Sequence, residues 1–377
     1  MEALLAMAKR YYHGLSLQTV AVTGSVGKTS AVCAIRKILS QRYRVHTPEG
    51  NRNNALGIAV TMLETPKKAE VAVFEIGSNH PGEVAPLSRL LRPDLAVVTA
   101  VGRAHVGNFG SEDAILREKL SISEGLRAGG ILLLPQEIRE KAPKSANPRT
   151  FSLTERGDFC FSHISSEEEK TEFLFSSPNR SALPCRVLGR GVPLLSAALI
   201  ALSVGEELSL TDEELERGVQ CISLPGGRGE LRTIGGLRLF DDGYNASPES
   251  VHNAFLRLAE EEPSPARRIA LLGDMLELGT LANVCHEEMG DRFAKICGGR
   301  LFLFGKYALR TAAGAARGGL PPQSITVFPA SSDTGELAQR LFSFLKDGDT
   351  VLIKGSHATK AEEIFKKLTL LLDQKAR

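Results

Sequence analysis

The stretch Ala21-Val-Thr-Gly-Ser-Val-Gly-Lys-Thr-Ser30 combines residue types that bind phosphate. Gly24 and Gly27 let the backbone curl close around an anion. Lys28 brings a cation, Thr29 a hydroxyl suited to a hard metal ion, and Ser25 and Ser30 complete the loop. The widespread ATPase signature is G-x-x-x-x-G-K-[ST]; here Gly24 lies three residues before Gly27, and Val22 occupies the place of the first glycine. The flanks decide what the loop can be. LQTVAVTG is an apolar run ending in glycine, and SAVCAIRKILSQRY sets Val32, Ile35, Ile38 and Leu39 on one helical face. A strand, a glycine turn and a helix N-terminus form an anion site, because free N–H groups and the helix dipole point at the same spot. The competing reading is a plain strand-to-helix turn.

Three more polar residues stand at the ends of apolar runs. Glu75 and Asn79 lie in FEIGSNHPGE, and His105 lies in GRAHVGNFGS. In open parallel sheets ligands gather beyond the carboxyl ends of the strands, where a carboxylate and an imidazole could hold metal beside phosphate. Each has a bland alternative: a solvated strand end for Glu75, a satisfied core or surface group for His105. Lys119, in ILREKLSISEGL, sits on a predicted helix, where a lysine is ordinarily a solvated surface charge.

These residues need a scaffold. A chain of 377 residues is too long for one core, which predicts two domains. EVAVFEIG, DLAVVTAVG and RAGGILLLP are continuous apolar runs, the pattern of strands buried on both faces of a parallel sheet. Between Pro135 and Pro184 the pattern weakens, and the acidic run Glu167 to Glu169 falls here, so this stretch reads as a surface excursion of short strands and loops. PLLSAALIALSVG restores a buried helix, and LPGGRGE reads as a hinge. After it RRIALLGDM, RLFLFGK, SITVFPA and DTVLIKGS predict a second, smaller α/β domain. Composition fits a globular protein, with 42% hydrophobic and 24% charged residues. A formal net charge of +2 without a basic cluster gives no reason to expect nucleic acid. The six cysteines show no metal-binding spacing and read as free thiols in a reducing compartment. No apolar run approaches membrane-spanning length. MEALLAMAKRYYHGL is short and amphipathic rather than a signal peptide, so a cytoplasmic protein is expected.

VTGSVGKTS, TPEGNRNNALGIAV, FEIGSNHPGEV, VVTAVGRAHVGNFGS, FDDGYNASPESV, LLGDMLELG and VLIKGS occur in the order found in the Mur ligases, which the chain resembles from about Ala21 to Lys354. YNASP and GDMLELG point to the D-alanyl-D-alanine-adding branch, and the family's short T-G-S-x-G-K-T loop accounts for the unusual glycine spacing. The resemblance implies a central P-loop ATPase domain with a mostly parallel sheet over residues 1–226, including a short N-terminal helix. It also implies a smaller Rossmann-like C-terminal domain over 227–377. It implies ATP and two Mg²⁺ sites, a phosphorylated carboxylate and an attacking amine, with small-molecule acid and amine substrates. Thr29 and Glu75 would hold the first Mg²⁺ and His105 the second, Lys28 would meet the phosphates, and Lys119 falls where the family carries a carbamylated lysine. Gly24, Ser25, Gly27, Ser30, Asn54, Arg228, Asp241, Asp242, Tyr244 and Asn245 would border the nucleotide. Asn79, Lys354 and Ser356, followed by His357, would lie toward the substrates, and closure of the domains would exclude water. The alternative for Asp241 to Pro248 is a simple turn.

Four departures from the family pattern stand out. Only about twenty residues precede Ala21, so the domain that grips the UDP-muramoyl substrate in the family is expected to be missing, and a partner supplying it is one expectation. Gly191, Val192 and Leu195 stand where the family's H-N-x-x-N element is expected, Ala100 replaces an asparagine, and LLPQE replaces LNxDD. Phosphate and metal residues persist while adenine and sugar features erode. That leaves four readings: the cell-wall ligase, a Mur-like ligase recruited to another acid (amide or lactam closure on a cofactor or natural-product precursor), a non-catalytic nucleotide-binding subunit, and a P-loop kinase without a ligase step.

Overall fold

Apolar runs that read as doubly buried strands do form the centre of a large sheet. The computed structural model describes residues 1–153, 156–167, 170–329 and 331–375; Glu168 and Glu169 of the acidic run lie outside them. The chain divides into two compact units, one of Met1–Gly102 with Phe109–Leu224, the other of Arg103–Asn108 with Pro225–Arg377.

In the first unit the strands are β1 (Gln18–Thr23), β2 (Val45–His46), β3 (Val71–Glu75), β4 (Leu95–Val98), β5 (Ile131–Pro135), β6 (Pro148–Ser152), β7 (Phe159–Ser166), β8 (Lys170–Ser177) and β9 (Arg180–Leu188). They form one sheet in the order β2-β3-β1-β4-β5-β6-β7-β8-β9. Pairing is parallel from β2 through β7 and antiparallel along β7-β8-β9. Successive strand residues face opposite sides. Val20, Val22, Val71, Val73, Leu95 and Val97 pack into one core, and Ala21, Ala72, Phe74, Ala96 and Val98 into another. The helices covering these faces include α1 (Glu2–Tyr12), α2 (Lys28–Leu39), α3 (Ala55–Glu64) and α4 (Val84–Leu91), then, after the short α5 (Val106–Phe109) that falls mainly in the second unit, α6 (Glu112–Leu120), α7 (Val192–Glu207) and α8 (Asp212–Gln220). α7 is buried along nearly its whole length, as its uninterrupted apolar sequence predicts. α1 is fastened by three consecutive side chains: Tyr11 Oη donates to Thr65 O (2.7 Å), the Tyr12 and Thr19 hydroxyls hydrogen-bond to each other (2.7 Å), and His13 Nε2 meets Leu90 O (2.9 Å).

The stretch between Pro135 and Pro184 departs from its reading as a surface excursion. β6 to β9 extend the main sheet, and Phe159, Phe161, Phe173, Phe175, Leu183 and Val187 belong to its core.

The second unit holds β10 (Glu230–Ile234), β11 (Leu237–Asp242), β12 (Arg268–Leu272), β13 (Arg300–Leu303), β14 (Ile325–Val327) and β15 (Thr350–Lys354) in the order β10-β11-β15-β12-β13-β14. Only β10 runs antiparallel to its neighbour. α9 (Pro248–Glu261) and α10 (Ala282–Ile296) flank it. α9 starts with a capping box, in which Ser247 and Ser250 satisfy each other's backbone amides.

Candidate functional site

The register of the first sheet brings the chemistry together. Val22 of β1 pairs with Glu75, the last residue of β3, and Thr23 pairs with Val98 of β4, so three strands end side by side. The chain after β1 turns through Gly24 (φ +148) and Gly27 (φ +83) into α2. A Cβ on Gly24 would lie 2.1 Å from Thr99 Oγ1, so only glycine fits there. No side chain caps the N-terminus of α2, so its first amides remain available to an anion. Lys28 Nζ folds back onto Gly24 O (2.8 Å), and Ser25 Oγ accepts from Gly102 N (3.1 Å). Ser30 is buried inside α2.

Thr29 Oγ1 donates to Glu75 Oε2 across 2.7 Å. The other oxygen, Oε1, accepts from Asn53 Nδ2 (2.8 Å), which also donates to Asn51 Oδ1 (2.7 Å). A hydroxyl and a nearly buried carboxylate side by side are hard oxygen donors, the set that suits Mg²⁺. Asn53 escaped the reading of the sequence, which chose its neighbour. Asn54, the residue expected beside the nucleotide, caps α3, its Oδ1 accepting from Gly57 N at 2.9 Å. The signal was the doublet itself, since only one of two adjacent asparagines can cap.

Lys119 is not the solvated charge its helix suggests. It is 1% exposed, and Nζ donates to Ser78 Oγ across 2.6 Å. Burial, and next the charge of Lys28, lower its pKa from 10.5 to about 7. Its neighbour Glu118 accepts from the amides of Gly82, Glu83 and Val84, which ties α6 to the start of α4. Asn79 N donates to Glu83 Oε2 (2.7 Å) in the same turn.

The remaining candidates lie in the second unit. His105, at φ +62, has Nδ1 in contact with Glu277 Oε2. The Arg228 guanidinium lies 4.2 Å over the Tyr244 ring, and His357 is a further 5.7 Å neighbour of that ring. Asp241 is half-buried; burial raises its carboxyl above the usual range, and Oδ1 has no hydrogen bond among the described residues. Lys354 Nζ binds Asp242 Oδ2 (2.7 Å) and Asn245 O (2.9 Å). Ser356 Oγ accepts from Leu276 N (2.9 Å). The structure thus assembles Gly24 to Ser30, Glu75, Asn79 and Lys119 in one unit, and His105 with Arg228, Asp241, Asp242, Tyr244, Asn245, Lys354 and Ser356 in the other.

A phosphate-type loop at the strand ends of one α/β unit, joined to a second α/β unit, defines a two-unit nucleotide-loop protein. Residues 22–205 match the Mur ligase middle domain and residues 227–357 the domain described as Mur ligase, glutamate ligase domain. The UDP-N-acetylmuramoyl-tripeptide–D-alanyl-D-alanine ligase of Bacillus subtilis is 33% identical over 371 residues, covering 98% of this chain and 79% of the relative. The Escherichia coli ligase of the same name is 30% identical, covering 93% and 76%. Among solved structures, MurF from Acinetobacter baumannii superimposes with a TM-score of 0.88 at 26% identity, covering 98% of this chain and 80% of that one. The Thermotoga maritima MurF ligase in complex with ADP gives 0.86 at 26%, covering 99% and 84%. The chain belongs to the Mur ligase family. Among the described residues no helix is long and apolar enough to cross a membrane.

Proposed function

We propose that this protein is an ATP-dependent carboxylate–amine ligase that joins D-alanyl-D-alanine to a UDP-muramoyl peptide through an acyl phosphate. The observation that carries the reading is the cluster in the first unit, where the Thr29–Glu75 pair at the phosphate-type loop accompanies the buried Lys119. Lys28 and the α2 amides bind the transferring phosphate, and Thr29 and Glu75 hold Mg²⁺. The metal, when bound, neutralises charge on the phosphoryl group. Lys119, buried and with its pKa lowered to about 7, reaches near neutral pH the uncharged amine form that carbamylation requires. His105 serves a second Mg²⁺. Arg228, Asp241, Asp242, Tyr244 and Asn245 border the nucleotide, and Asn79, Lys354 and Ser356 lie toward the acid and amine. The domain assignment is 1–226 for the ATP-binding part and 227–377 for the C-terminal part. The setting is the cytoplasm, where nucleotide-linked precursors are made.

Catalysis in this scheme is positioning and charge neutralisation. A carboxylate oxygen attacks the γ-phosphorus and ADP leaves. The neutral amine then attacks the acyl carbon, the C–O bond to phosphate breaks, and the proton lost from nitrogen leaves with the hydrogen phosphate as the amide forms. The test is ADP release by the purified protein with Mg²⁺ and ATP, with and without both substrates, Lys28→Ala being the control. Release that requires both supports the reading. ATP turnover indifferent to them removes it in favour of a related ligase acting on another acid. That second reading draws on the start of α7, where Gly191 (φ +102) offers no side-chain cap and the family's asparagines are replaced.

A further inference from the structure

The segment Arg103–Asn108 is built into the second unit, although the chain on either side of it belongs to the first. Its attachments are specific. Arg103 N donates to Glu249 Oε1 (2.7 Å), and the guanidinium pairs with Glu288 (3.1 Å). Gly107 N donates to Glu277 O (3.0 Å). A Cβ on Gly107 would lie 2.4 Å from Gly279 N, and one on Gly279 would lie 2.7 Å from Gly107 Cα, so the two backbones pass in contact. Between these anchors sits His105, its Nδ1 buried and without an aligned hydrogen bond among the described residues, against Glu277 Oε2.

Both ends of that contact are unusual. His105 and Glu277 each have φ +62, in the left-handed region that residues other than glycine seldom occupy. Such conformations persist where the surroundings over-determine them, and they cluster at functional sites. The surroundings of Glu277 do so. Met275 N is fixed by His286 Nε2 (3.0 Å), Leu276 N by Ser356 Oγ (2.9 Å), and the Asp274 carboxylate holds the amides of Lys306 (2.8 Å) and Tyr307 (2.9 Å). The buried His286 is itself held by Ala282 O (2.7 Å) and stacks on Tyr307 (4.6 Å). The loop carrying Glu277 is therefore a rigid support.

We infer that Glu277 is a positioning residue for His105: its carboxylate engages Nδ1, fixes the ring and its tautomer, and leaves Nε2 as the nitrogen through which His105 acts. A carboxylate on one ring nitrogen is the standard means of orienting a working histidine. Glu277 touches neither substrate nor phosphate in this scheme. The inference rests on the reading of His105 as a residue of the reacting centre.

The experiment uses full-length protein labelled with ¹⁵N-histidine, with His105→Ala supplying the assignment. Wild type should show His105 protonated on Nδ1 when neutral. Glu277→Ala should shift it toward the Nε2–H form and lower kcat roughly 10- to 100-fold with little change in substrate KM. Glu277→Gln, which can still accept from Nδ1–H, should restore the tautomer and most of kcat. A wild-type His105 protonated on Nε2 overturns the inference without any variant. So does a folded Glu277→Ala protein with unchanged tautomer and kcat. If His105→Ala keeps full activity, the role assigned to His105 falls instead, whatever the tautomer shows.

Discussion

Lys119 Nζ donates to Ser78 Oγ across 2.6 Å inside the first unit, with Lys28 close enough for its charge to depress the lysine further. The folded pKa of about 7 lies below the ordinary 10.5, so between those values the unfolded chain binds more protons than the folded one. Stability must then rise with pH across this window, by up to about 1.4 kcal/mol per pH unit from this group alone. Below pH 7 the burial penalty is present in full. Lys119→Met should flatten that slope and gain most stability below pH 7. Urea midpoints of both proteins at pH 6 to 10, in bicarbonate-free buffer, decide it; parallel curves would mean that Lys119 is not buried as a titrating amine.

Asn53 holds Glu75 Oε1 while Thr29 holds Oε2. Removing Asn53 frees the carboxylate to rotate away from Thr29. Asn53→Ala is expected to raise the Mg²⁺ concentration needed for half-maximal ADP release roughly 10- to 100-fold, as loss of a supporting partner does at metal sites. Asn54→Ala, which removes only the α3 cap, should cost about 1 kcal/mol of stability and leave the Mg²⁺ requirement alone. Equal Mg²⁺ curves for the two variants would contradict this division of labour.

Much of this was open to a reader of the sequence. The central parallel strands of both sheets announced themselves because such strands are apolar on both faces, and Lys28, Thr29 and Glu75 could be chosen because strand ends are where ligands gather. What failed to show had physical reasons. β9 reads Arg180-Ser-Ala-Leu-Pro-Cys-Arg-Val-Leu188, an edge strand that buries only Leu183, Cys185 and Val187 and tolerates Pro184 because an edge amide needs no partner. Its alternation is too sparse to stand out from loop sequence. The burial of Lys119 follows from what packs around α6, which helical periodicity does not reveal. The pairing of His105 with Glu277 joins residues far apart in the chain, and no local pattern signals that Arg103–Asn108 belongs to the second unit.

Gly107 and Gly279 meet backbone to backbone, and neither has room for a side chain. Gly107→Val would force the two segments apart at a cost of about 1–3 kcal/mol, the usual penalty of overpacking. The expected result is a lowered urea midpoint together with faster proteolysis near residues 103–108. An unchanged midpoint and digestion pattern would show that the segment is not seated as described.

Lys354 ends β15 directly opposite Asp242 of β11. Its ammonium is 2% exposed and bonded to Asp242 Oδ2 (2.7 Å) and Asn245 O (2.9 Å). Burial raises the Asp242 pKa, and Lys354 is the main influence lowering it. Lys354→Met removes that influence and strands a carboxylate, at a cost of about 3–5 kcal/mol. The sign with pH follows. A carboxyl whose folded pKa is raised stabilises the fold below its unfolded value and loses that contribution as pH rises through the folded one. Without Lys354 the folded pKa moves higher still, so the deficit of the variant relative to wild type should be small at pH 4 and widen toward pH 8. Asp242→Asn combined with Lys354→Met leaves no charge to strand, and should recover much of the loss and all of its pH dependence. Chemical denaturation of the three proteins at both pH values tests this. A deficit in Lys354→Met that is independent of pH would mean that the cost is lost packing around the lysine stem rather than an unpaired carboxylate.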